Sequence, residues 1–304
     1  MRSVLVVVAP AIALSCVQGV ELDGKLCDAA NACVEGASVA GVCTLSPGEG
    51  EGEGEGEGEG EGEGEGEPAC SPVGHDEDGD GVDDACDNCP TVANVGQSDD
   101  GEGPAADGVG DACDPRPSVG GDAIVAFDAF SGATLAGAWS GTGVWTVSGD
   151  RLVHTDTSDT PILNRTDVGP AARVAVAARL RIDAAVPGGA ANVANAGIGV
   201  GMTSSDTGVI CIAGNRDDPP TESTLRVGTM TDNFAGDARF EVAIINPVGR
   251  SLDLSVVTGA GTHCEVVGEA VVDDTDAPQA GGVALRANRT AISVESFVVY
   301  RLGP

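Results

Sequence analysis

The chain has 304 residues, 46 of them glycine, 16 proline and ten cysteine, with aromatics at 3 % and a formal net charge of −33. That charge excludes nucleic acid and anionic membrane surfaces as partners, since both would repel it. The acidic excess lies mostly before residue 122, so a polyanionic front precedes a mildly acidic remainder long enough for one sizeable domain.

MRSVLVVVAPAIALSC opens with one arginine and a short apolar run, Val4 to Leu14. The run is too short to span a bilayer and suits the h-region of a signal peptide, residues 1–15. Two endings stay open. Ala13 and Ser15 fit ordinary cleavage, whereas an apolar run stopping at Cys16 fits a lipobox, with Cys16 acylated. The chain is therefore expected to be secreted or held at a cell surface, touching a membrane only through that lipid. The lone lysine, Lys25, against abundant Ala, Gly, Val and Arg looks like a high-GC bacterial genome. In an exported chain cysteines read as disulfides; lipid on Cys16 would leave one of the ten unpaired. Residues 16–47 carry Cys27, Cys33 and Cys43 in a segment too short for its own core. Residues 48–68 alternate Glu and Gly, a solvated linker whose random coil spans roughly 25 Å before charge repulsion extends it.

Residues 76–87 read DEDGDGVDDACD, with no cation among the acids. Numbered from Asp76, carboxylates occupy positions one, three, five, nine and twelve: Asp76, Asp78, Asp80, Asp84 and Asp87. Calcium takes six to eight oxygens, and a loop around it presents alternate side chains inward. Gly81 at position six permits the sharp turn, after which Val82 offers its carbonyl. This spacing predicts a calcium loop. It is not an EF-hand: SPVG precedes it and CDNCP follows, where helices would be required.

The run DEDGDGVDDACDNCPTVANVGQ followed by DGVGDACD resembles the thrombospondin type 3 repeat over residues 69–115. The resemblance implies a core of calcium ions in place of apolar side chains and disulfides Cys70–Cys86 and Cys89–Cys113. It also implies a second loop, in which Asp107, Val109, Asp111 and Asp114 match positions five, seven, nine and twelve. Positions one and three would fall on Gly103 and Ala105, because the insertion GEGPA displaces the aspartates; Asp99 or Asp100 would have to fold back. With fewer charges in register, this second ion is expected to bind more weakly.

PRPSVGG, residues 115–121, marks a boundary. Beyond it, residues 122–304 show apolar residues at a period of two. Val174, Val176, Ala178, Leu180 and Ile182 alternate with Arg179 and Arg181; similar runs occur at 197–202, 223–228, 239–244 and 251–256. Shorter candidate strands lie at 144–147, 151–154, 208–213, 263–267, 282–287 and 291–300. About a dozen short strands without a helical period predict an antiparallel β-sandwich. FDAFSG, VWTVSGDRLV and GGVALRANRTAISVESFVVY in that order are similar to concanavalin A-like and laminin-G-like jelly rolls, which implies glycan or protein binding and, for some relatives, polysaccharide hydrolysis. Cys211 and Cys264, both in strand-like runs, are expected to pair.

No catalytic residue is predicted. Nothing reads ExDxxE, Asp183 and Glu241 stand alone in the sequence, and neither His154 nor His263 is placed beside a nucleophile. Trp145 is expected in the core and Trp139 at the surface; Phe127, Phe130, Phe240 and Phe297 read as core residues. Arg173, Arg179 and Arg181 read as a solvated row or as a surface for an acidic polymer. The sequence thus predicts an exported calcium-binding surface protein in which a calcium-organised spacer presents a sandwich for adhesion or ligand capture. A carbohydrate-active hydrolase with an atypical site is the alternative.

Overall fold

The computed structural model describes residues 37–39, 42–44, 70–186, 194–204, 207–216, 222–229, 240–275 and 277–304. The predicted signal peptide, the Glu-Gly linker, Cys16, Cys27 and Cys33 lie outside them. The chain forms two compact units, Met1–Gly66 and Glu67–Pro304. In the first, β1 (Ala37–Val39) pairs antiparallel with β2 (Val42–Thr44).

The second unit contains two antiparallel sheets. One carries β4 (Trp139–Gly141), β7 (Ile162–Arg165), β9 (Ala194–Ser204), β10 (Thr207–Arg216), β11 (Glu222–Thr229), β12 (Glu241–Ala243) and β16 (Gly282–Asn288), in the order β12-β11-β10-β9-β16-β7-β4. The other carries β5 (Thr146–Val147), β6 (Leu152–His154), β8 (Val174–Ala185), β13 (Ser251–Thr258), β14 (Thr262–Val266), β15 (Ala270–Asp274) and β17 (Thr290–Arg301), in the order β15-β14-β13-β8-β17-β6-β5. β3 (Ala123–Asp128) also pairs with β17.

Period-two patterning places the core between the sheets. Val176, Leu180 and Ile182 of β8, Leu252 and Leu254 of β13, Ile198 and Val200 of β9, and Leu225 of β11 are all at most 2 % exposed in one cluster. Each such side chain contributes about 1.5–3 kcal/mol by leaving water. Cys211 of β10 and Cys264 of β14 join the two sheets through this core, closing a sequence separation of 53 residues. A loop of that length constrains the unfolded chain by about 4 kcal/mol in the chain-entropy picture.

Strand β17 departs from simple alternation. Its register with β8 shifts between Val294 and Ser296, so Val294 and Phe297, three residues apart, both enter the core. The extra residue is Glu295, whose carboxylate reaches Arg179 at 2.9 Å and also pairs with Arg151. A bulge re-aims one side chain in this way.

The outer face of the second sheet is not free. Val298, Tyr300 and Leu302, with Ala175 of β8, form an apolar cluster with Val109 of the acidic segment, and Cys113, Ile124 and Phe127 pack against it. The Tyr300 hydroxyl, 3 % exposed as a residue, is hydrogen-bonded with the Thr91 side chain, and burial drives its pKa upward. The acidic segment is therefore docked on the sandwich that it was expected to present. Its exit is pinned as well. Arg116 donates to buried Asp122 and to the Gly303 carbonyl at 3.1 Å, while Asp122 accepts from Gly303 N–H at 2.9 Å. Burial opposes ionisation of Asp122, but the Arg116 hydrogen bond and Gly303 N–H hold its pKa below the usual carboxylate range.

Trp139, expected at the surface, lies in the core instead. Trp139 is buried between Phe130 and Phe297, under the Arg165 guanidinium, and its indole N–H donates to Asp128 at 2.8 Å. Trp145, just before the edge strand β5, lies half-buried over His154 and packs against the rim of the core. Phe130 and Phe297 are buried, whereas Phe127 and Phe240 are only half-buried. Docking makes a prediction about two residues of one sheet face. Tyr300→Ala should lower the unfolding free energy by about 3 kcal/mol, and Asp253→Ala, at an exposed carboxylate, should change it by less than about 0.5 kcal/mol. Urea denaturation of both variants checks this.

Candidate metal centres

The acidic segment is short of apolar side chains and is held by covalent and polar links. Cys70 joins Cys86, and Cys89 joins Cys113. Asn88 of the DNCP run receives Asn94 Nδ2 on its side-chain oxygen at 2.7 Å and donates its own amide to the Gln97 carbonyl at 3.0 Å. A Cβ on Gly110 would collide with the side-chain amides of Asn88 and Asn94, so a side chain at this position of GDACD would displace that hydrogen-bonded pair. Gly81 has φ +95°, a left-handed conformation that strains any L residue.

In the first loop, Asp76 accepts the N–H groups of Gly79 and Gly81 at 2.8 and 2.9 Å. Asp80 accepts Val82 N–H at 2.8 Å on one oxygen and Asn94 N–H at 2.8 Å on the other. With Asp78 these residues bring one carboxylate oxygen each within 4.8 Å of one another. Asp78 Oδ2 is buried with no hydrogen-bond partner. Burial first, then the charges of Asp80, Asp87 and Asp76, raise the Asp78 pKa.

Two further predicted ligands of this loop, Asp84 and Asp87, accept hydrogen bonds within the segment. Asp84 binds His75 Nδ1 at 2.6 Å and Glu77 N–H at 2.8 Å. Asp87 accepts Cys89 N–H at 2.7 Å and Gln97 Nε2 at 2.8 Å. Both brace the loop's ends, because backbone N–H groups bent inward by the turn need acceptors. Val82 is half-buried beside Asp80.

In the second stretch, Asp99, Glu102 and Asp107 gather within the same 4.8 Å limit. Glu102 lies against the carboxyls of both Asp99 and Asp114. Asp99 Oδ1, both Glu102 oxygens and Asp114 Oδ2 are buried without a hydrogen-bond partner. Asp111 instead accepts Gly101 and Asp100 N–H at 2.9 and 3.2 Å, which lowers its pKa. The Asp100 side chain is exposed, and Val109 sends its side chain into the sandwich contact. Glu102 was not a predicted ligand. It is the one carboxylate within the GEGPA insertion, and that was the available signal.

Five buried carboxylate oxygens without donors are costly unless a cation meets them. A hard divalent ion with oxygen ligands fits this donor set, and no soft ligand is present because the nearby cysteines are disulfide-bonded. Among the described residues, the other predicted candidates are tied up. Arg179 pairs with Glu295 and at 3.7 Å with Asp253, and Arg181 pairs with Asp183 at 3.0 Å, so these two arginines are neutralised. Glu241, isolated in sequence, meets Arg226 at 2.9 Å. His154 is buried with its ring nitrogens at the carbonyls of Val144 and Asp156, and His263 pairs with Asp273.

Residues 61–97 match the thrombospondin type 3 repeat family, a span that holds the first loop and stops before the second. No curated protein matches the chain. Among solved structures, one described with endo-acting O-glycanases that human gut microbiota members express to initiate mucin breakdown aligns at 13 % identity and TM-score 0.44, covering 60 % of this chain and 100 % of that one. The exoplasmic/lumenal domain of VIP36, bound to Ca2+ and Man3GlcNAc, aligns at 11 % and 0.41, covering 55 % and 85 %. The Emp47p carbohydrate recognition domain aligns at 8 % and 0.41, covering 57 % and 93 %.

The acidic clusters make a pH prediction for the metal-free protein. Burial, then the Asp99 and Asp114 carboxyls, push Glu102 from 4.5 up to about 7. Burial, opposed by His75 and reinforced by Asp84 and Glu295, takes Glu77 from 4.5 to about 7. Between those values the folded state binds more protons than the unfolded, so stability falls as pH rises through that window. Thermal melts in chelator from pH 4.5 to 7.5 should show a falling Tm, and added calcium should remove the fall at its upper end.

Proposed function

We propose that this is an exported calcium-binding protein whose ion-organised repeat is fastened to a β-sandwich that captures an extracellular glycan or surface protein, as in adhesion. The five buried carboxylate oxygens without donors carry the calcium reading. Three disulfides among the described residues support an oxidising compartment outside the cytosol. No described helix is long and apolar enough to cross a membrane.

The capture reading is supported by a cleft of about 380 Å³ on the sandwich, whose lining includes Gly201, Thr203, Thr207, Gly208, Thr229 and Gln279. Threonine hydroxyls and the Gln279 amide set among Val209, Ala277 and Pro278 suit a neutral ligand with both polar and apolar faces, such as a sugar ring, better than an ion, and the size is that of a small-ligand site.

The whole protein should take up calcium in a calorimetric titration at neutral pH; no uptake at millimolar calcium would remove the reading. On an immobilised glycan panel, binding should be reduced by Gln279→Ala, and a panel with no bound glycan would leave a surface protein as the ligand. Turnover of those glycans, abolished by Glu241→Gln, would replace capture with hydrolysis.

A further inference from the structure

The two acidic loops superpose in their hydrogen bonding although not in their spacing. In the first, Asp76 accepts Gly81 N–H at 2.9 Å; in the second, Asp99 accepts Gly108 N–H at 2.7 Å. Asp80 accepts Val82 N–H at 2.8 Å, and Asp107 accepts Val109 N–H at 3.1 Å. Asp87 accepts Cys89 N–H at 2.7 Å, and Asp114 accepts Arg116 N–H at 2.7 Å. Asp99 thus stands where Asp76 stands, and the intervening insertion, with its short 3-10 turn Gly103–Ala105, lifts Glu102 into the place that Asp78 holds. Both Asp78 and Glu102 present buried oxygens with no donor.

We propose that Asp99, Glu102, Asp107 and Asp114 form a second divalent-cation site, with Glu102 a ligand supplied by the insertion, and that this site binds calcium more tightly than Asp76, Asp78 and Asp80 do. The inference rests on the calcium reading above, and it reverses the order of affinities that register alone suggests.

The cluster is more than a gathering of acids. Asp114 is 8 % exposed, and its Oδ2, beside Glu102, has no partner. Four of the five unpartnered carboxylate oxygens belong to this site and one to the first loop. Fixed charge count and rigidity both raise calcium affinity. Rigidity comes from the sandwich: the second oxygen of Asp107 accepts Gly121 and Asp122 N–H at 2.7 and 2.6 Å, where the chain enters β3, and Val109 is buried against Tyr300. The hydrogen bonds accepted by the three gathered aspartates of the first loop stay within the segment, from Gly79, Asp80, Gly81, Val82 and Asn94.

The test uses the whole protein with its disulfides intact, titrated with calcium chloride by calorimetry and melted in chelator and in calcium. Wild type should take up two ions in two phases. Glu102→Gln should lose the tighter phase, weakening it by roughly tenfold or more, whereas Asp78→Asn should lose the weaker one. In chelator Glu102→Gln should melt no lower than wild type, since a repelling carboxylate has gone, yet gain less Tm from calcium. A variant that melts lower in chelator marks Glu102 as structural and overturns the proposal. So does a wild-type titration profile for Glu102→Gln, or loss of the tight phase in Asp78→Asn. If wild type takes up no calcium, the calcium reading itself fails; if it takes up calcium and Glu102→Gln is silent, only the present inference fails.

Discussion

Mutual repulsion among half-buried carboxylates is the constraint on which the N-terminal part of this structure depends. Residues 70–115 contain few apolar side chains able to drive collapse, and their aspartates turn their own loops by accepting backbone N–H groups. That use satisfies one oxygen of several carboxylates and leaves others aimed inward with nothing to meet them. A divalent ion held there, as proposed above, would convert the repulsion into attraction and couple the fold of the segment to metal. The disulfides limit how far the chain opens without it.

The sandwich is built on the opposite principle. Its core is aliphatic and joined across the sheets by Cys211–Cys264. The two parts meet on one face of one sheet. Val109, at the position of the second loop whose carbonyl is expected to face the metal, places its side chain among Val298, Tyr300 and Leu302. Asp107 accepts from the first residues before β3, and Asp122 binds both Arg116 and Gly303. The second acidic cluster and the sheet are thus joined through a few residues, and the acidic segment acts as a buttress of the sandwich.

The same contact explains the exposure pattern of the eight-stranded sheet. Toward one end of β8 the outward positions are Arg179, Arg181 and Asp183, ion-paired and solvated; toward the other they are Ala175 and Ala177, covered by the acidic segment. A small residue is what close approach of a loop backbone requires. The bulge at Glu295 serves both halves of the face, since its carboxylate reaches Arg179 and lies within electrostatic range of Glu77.

Much of this was legible from the residues themselves. Period-two alternation identified most long strands, because burying one face of a strand forces that pattern whatever the partners are. The spacing around Gly81 identified the first acidic loop, because a turn around an ion repeats its geometry locally. Local spacing could not reveal Glu102, since an insertion moves a carboxylate in number while the folded chain returns it to the cluster in space. Nor could it distinguish Trp139 from Trp145, or show that Val298 and Tyr300 lie beneath another segment. Those outcomes depend on which surfaces meet. Element type was written in the sequence by short-range chemistry, and burial of the outer face, the place of Glu102 in the second acidic cluster and the joint at Asp122 were decided only when distant segments packed together.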